Sequence, residues 1–169
     1  MSAPKPVTTL LHGLQRVLWH AQAEDRISTP QRRPIGTLVA FAQPPSDVLA
    51  HDPKAWAIVG GTKDHKRLGS SAQIIRSDGA WIHFTVSVDA DAQPIAYDFE
   101  LVFEQLQTAR AARFVRIDLN PPGHKNDAER DRRCHLHPGH DDVQVRWAQR
   151  PPVEILQLFV NDLRFVKER

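Results

Sequence analysis

Ser77-Asp78-Gly79-Ala80-Trp81-Ile82-His83-Phe84-Thr85-Val86-Ser87-Val88 is the stretch whose reading decides the fold. Asp-Gly between two apolar runs is a hairpin signal, because both residues tolerate the positive φ angles of a primed turn. One arm is residues 72–76 and the other is 80–88. In the second arm Ile82, Phe84, Val86 and Val88 alternate with His83, Thr85 and Ser87. Period-two alternation means a strand with one apolar and one wet face, which is the pattern of an antiparallel sheet.

Working outward, residues 95–103 repeat the alternation, with Tyr97, Phe99, Leu101 and Phe103 around Asp98 and Glu100. Residues 114–119 continue it, and Pro121-Pro122-Gly123 stops it. Shorter strands are expected at 36–41, 56–59, 134–137 and 143–147. Proline- and aspartate-rich segments at 24–34 and 43–54 read as breaks in regular structure. At the N-terminus Leu10, Leu11, Leu14, Val17, Leu18 and Ala21 recur at helical spacing, so a helix is expected over 8–23 with Thr8 or Thr9 as its cap. Pro151-Pro152 leads into a second helix over 152–167, with Val153, Leu156, Phe159, Val160, Leu163 and Val166 on its apolar face. The fold class is therefore α+β, an antiparallel β-sheet meander over 36–147 packed against N- and C-terminal helices.

The 169 residues suffice for one well-buried core, so a single domain over 1–169 is expected. Hydrophobic content of 41% with 25% charged residues is ordinary globular composition and argues against wholesale disorder. A formal charge of only +2 is no nucleic-acid signature in itself, so charge matters here through its local distribution. No apolar run approaches the roughly 20 residues that span a bilayer, and no signal-peptide pattern opens the chain. The lone Cys134 rules out an intramolecular disulfide framework. Together these give the expectation of a cytoplasmic protein with no membrane partner.

Chemistry concentrates between Arg113 and Asp142, where His124, His135, His137 and His140 lie among arginines and aspartates. On a strand, residues two apart share a face, so Arg116 and Asp118 project together, as do His135 and His137. Two readings follow. In the first, which stands as the alternative, His135 and His137 are joined by His140 with Asp141 or Asp142 in a three-ligand site for zinc or manganese with one position open, as in a metal-dependent hydrolase. In the second no cofactor is needed: His124 and His135 or His137 exchange protons, Arg116 and Arg133 stabilise phosphate charge, and Asp118 orients a histidine. That division of labour suits RNA cleavage by the 2′-hydroxyl. The plain structural alternative stands beside both, with Arg116 simply paired to Asp118 and Cys134 packed in the core.

Lys63, Lys66 and Arg67 lie in a glycine- and serine-bearing stretch without the Gly-Lys-Ser/Thr order of a Walker loop. With Lys125 they form candidate nucleic-acid contacts, and would serve equally in a non-catalytic module that docks a nucleic acid or an acidic protein. His135-X-His137 followed by an acidic residue resembles the first half of the cupin metal motif, but too few residues follow for its second half.

A broader resemblance covers about 95–159. An Ala-Tyr-Asp-Phe strand, then Arg116-Ile117-Asp118, Pro122-Gly123-His124, and His135-X-His137 before a terminal helix resembles the layout of TumE-like small toxins of bacterial toxin–antitoxin pairs. The resemblance implies a small ribonuclease with a cognate antitoxin as partner and RNA as substrate.

Overall fold

The computed structural model describes residues 2–29, 33–62, 73–103, 114–124, 133–139 and 143–163. Among them an antiparallel sheet carries helices at both ends of the chain, the α+β arrangement that the sequence implies. Its strands are β1 (Ile27–Ser28), β2 (Val39–Ala42), β3 (Trp56–Gly60), β4 (Ile74–Arg76), β5 (Trp81–Val88), β6 (Pro94–Val102), β7 (Phe114–Leu119), β8 (Cys134–His137) and β9 (Val145–Arg146). The main path runs β1-β4-β5-β6-β7-β8-β9, and β3 joins β2 to the β4 side of β5. The hairpin predicted at Ser77-Asp78-Gly79 joins β4 to β5, but only Gly79 takes a positive φ, 86°; Asp78 does not, so the turn is not the primed Asp-Gly type expected.

Helix α1 spans Lys5–Ala23 and α3 spans Pro152–Asn161. Neither threonine caps α1: Thr8 and Thr9 donate their hydroxyls to the carbonyls of Pro4 and Lys5 within the first turn, and the helix begins earlier with a proline in its opening positions. Proline is preorganised for that place and lacks an N–H that would go unsatisfied. Helix α3 ends at Asn161, short of the expected end at 167. Buried Arg76 reaches from β4 to donate to the carbonyls of Phe159 (2.8 Å) and Leu163, and to Asp78. A guanidinium at a helix C-terminus satisfies carbonyls that lack an intrahelical partner.

Two segments read as breaks carry structure. Residues 43–54 hold a one-and-a-half-turn helix α2 (Ser46–His51), anchored by buried Val48, and 24–34 hold the two-residue strand β1. A 3₁₀ turn, Ile35–Thr37, precedes β2.

One face of the sheet carries the core. Phe84, Phe99, Ile117 and Leu136 form one cross-strand row, and Val86, Tyr97, Leu119 and Cys134 the next. Phe84 stacks on Phe99 (5.3 Å between centroids), and Phe99 meets Phe159 of α3 edge to face. Gly60, opposite Phe84, leaves room for that ring: a Cβ there would lie 2.2 Å from it. Leu11, Leu14, Leu18 and Ala21 of α1 complete the cluster. No helix among the described residues is long and apolar enough to cross a membrane.

Candidate metal centre on the polar face

The opposite face is ruled by the same registry. His83, Glu100, Arg116 and His137 are aligned across β5, β6, β7 and β8; Thr85, Asp98, Asp118, His135 and Arg146 form the adjacent row, extended by β9. Because parity alternates along each strand, packing the aromatics on one side forces these polar residues to the other. Part of this face is withdrawn from water: Glu100, His135 and His137 are 5%, 5% and 2% exposed, whereas Arg146 at its edge is exposed. Buried polar groups of this kind are costly unless they serve one another or a ligand.

Asp118 is the hub. Its Oδ2 accepts from Arg116 Nε at 2.8 Å and lies 3.2 Å from His137 Nε2 and 3.5 Å from His135 Nε2. One ligand atom from each of Asp118, His135 and His137 falls within 4.8 Å of the others. The two imidazoles meet edge to face, centroids 4.8 Å apart. Asp118 Oδ1 and His137 Nδ1 are buried without a hydrogen-bond partner. Burial, then the charge of Asp98 on the neighbouring strand, raises the Asp118 carboxyl above its ordinary range, against the opposing pull of Arg116 and His137.

A cavity of about 480 Å³ opens on this face between the sheet and α2. Asp47, Asp98 and Asp118 line it together with one cation, Arg116, while Thr85, Ser87 and Asn120 supply neutral polar groups. Three carboxylates against a guanidinium already bonded to one of them make a site that attracts positive charge.

The structure thus brings together Arg116, Asp118, His135 and His137 of the predicted residues. It sends Arg133 elsewhere: its guanidinium donates to the carbonyls of Asn120 (2.9 Å) and Ile95 (2.7 Å) and lines a second cavity. His124 sits in the turn after β7, its N–H on the carbonyl of Pro121, outside the Asp118 group. Cys134 faces the core, its Sγ 3.3 Å from the Tyr97 hydroxyl, and burial pushes the thiol up. Lys63, Lys66, Arg67, Lys125, His140 and Asp142 lie outside the described residues. The sequence reading missed Asp98 and Glu100 as members of this face. Their alternation with Tyr97 and Phe99 was the available signal, but which strand lies beside β7 is a tertiary fact.

Comparison with known proteins gives no matching family model, no matching curated protein and no matching solved structure.

Proposed function

We propose that the polar face is the centre of a metal-dependent hydrolase, with Asp118, His135 and His137 as ligands to a divalent ion such as zinc or manganese. The observation that carries this reading is the convergence of two imidazole nitrogens and a carboxylate oxygen from adjacent strands, within 4.8 Å, with the carboxylate of the set, Asp118, also lining the cavity on that face. Ligand atoms about 2.0–2.1 Å from a tetrahedral ion stand roughly 3.3 Å apart, whereas a hydrogen bond centres near 2.9 Å. The contacts of 3.2 and 3.5 Å straddle the ligand edge. Asp118 joins the two histidines as a ligand that the sequence reading did not name for a metal, whereas His140 and Asp142 lie outside the described residues. An ion held by Asp118, His135 and His137 would supply Lewis acidity and a means of activating water. Arg116 holds Asp118 in position and offers positive charge at the cavity wall, and Asp47 and Asp98 are the other carboxylates facing that space. Cys134, a buried free thiol, suits a reducing compartment such as the cytoplasm.

The test is hydrolysis of chromogenic phosphomonoester, phosphodiester and carboxylate ester substrates by protein stripped with chelator and then reloaded. Turnover that requires added metal, and that falls at least a hundredfold in Asp118→Asn and His137→Gln, is the expected result. The second reading, a toxin-like ribonuclease that needs no metal and is held by an antitoxin, is favoured by the shared contact of Asp118 with Arg116 and both histidines. RNA cleavage that persists in chelator and is lost in His137→Gln would establish it in place of the first.

A further inference from the structure

The second cavity, about 550 Å³, lies where β7 ends and β8 begins, and its chemistry is the reverse of the first. Arg133, Arg146, Trp147 and Gln149 line it over a floor of Leu119 and Cys134, with no carboxylate among the lining residues. Two of the five N–H donors of Arg133 go to backbone carbonyls, which fix the guanidinium without neutralising it. No carboxylate among the described residues pairs with Arg133 or Arg146. Trp147 is tied to β8 through its N–H on the Cys134 carbonyl (3.2 Å), and its indole Nε1 is buried without an acceptor. Buried indole N–H groups ordinarily find one.

We propose that this cavity binds a nucleotide unit, free or within a single strand, with the phosphate on the arginines and the base against Trp147. Guanidinium forks match phosphate oxygens, and indole and guanidinium planes stack on any base. A bare phosphate would leave the indole and the apolar floor unused, and a neutral ring would leave two cations without counter-charge from any described residue. Leu119 lines both cavities, and Arg146 is the register partner of His135. The pocket therefore adjoins the centre proposed above, and makes a nucleotide ester its substrate class. That last link rests on the metal-centre reading, whereas binding itself does not.

Calorimetric titration of the whole protein in chelator, with the four 5′-ribonucleoside monophosphates, a short single-stranded RNA, inorganic phosphate and adenosine, tests the binding. At least one nucleotide or the RNA is expected to bind saturably and at least tenfold more tightly than phosphate or adenosine. Arg146→Ala, at an exposed position, and Trp147→Leu should each weaken that binding tenfold or more, with an unchanged melting temperature for the arginine variant. Which arm binds tells the free nucleotide from the strand. No saturable nucleotide or RNA binding, equal affinity for phosphate alone, or affinity indifferent to both substitutions would overturn the proposal. Repeating the titration with metal and with His137→Gln keeps the two sites apart: loss of the metal centre must leave nucleotide binding intact.

Discussion

Phe84 follows His83 on β5, and Glu100 follows Phe99 on β6, yet the members of each pair live in different surroundings. The aromatics enter a core sealed by α1 and α3; the histidine and the glutamate join a polar face that is also largely withdrawn from water. Burial on the first face is favourable in itself, at about 25 cal/mol per Å² of apolar surface. Burial on the second opposes ionisation, as the raised Asp118 carboxyl records, and must be offset by mutual contacts or by a ligand. A face that is buried and polar, without being needed to seal the core, is where function is most economically sought.

Substitutions on the two faces should therefore differ in kind. The largest loss of stability is expected for Phe99→Ala, which removes the ring that links Phe84 to Phe159. By analogy with other buried aromatics it should cost about 3–5 kcal/mol in denaturant unfolding. A cost below about 1 kcal/mol would mean that the helical face is not the one holding the fold together.

Arg76→Met is next, at about 2–3 kcal/mol, since it strips the carbonyls of Phe159 and Leu163 of their donor. Asp78 tests the same contact through pH. The Arg76 guanidinium holds its carboxyl below the usual value of 3.8, so the ion pair stabilises the folded state above that pH and its contribution fades as the pH falls below it. Because Asp78 is 40% exposed, Asp78→Asn should cost only about 0.5–1 kcal/mol at neutral pH and less in acid. Unfolding curves that stayed equally far apart at pH 7 and pH 2 would contradict this assignment.

How much of this was legible follows the range of the interactions. Alternation within β5, β6 and β7 and the Asp-Gly turn were readable, because side-chain parity and positive φ are local properties. The range of β7 and that of β8 came through intact, so the pairing of Arg116 with Asp118 and of His135 with His137 on common faces was visible. Their convergence was not: it depends on β7 and β8 lying side by side in the register Asp118↔His135, which no local rule supplies. Helix α2 was hidden because a short helix held by one buried valine leaves little periodicity behind. The fate of Arg133 was equally hidden, since its partners Asn120 and Ile95 are distant in sequence and offer only backbone.

The most direct test of the central claim is the stoichiometry of zinc and manganese binding to chelator-stripped protein, by calorimetry confirmed with elemental analysis, beside His135→Gln/His137→Gln and Asp118→Asn. One equivalent of metal bound by the native chain and none by either variant, with folding retained in both, is the predicted result. Native protein that takes up neither ion, or variants that bind as the native chain does, would contradict the reading of the polar face as a metal centre.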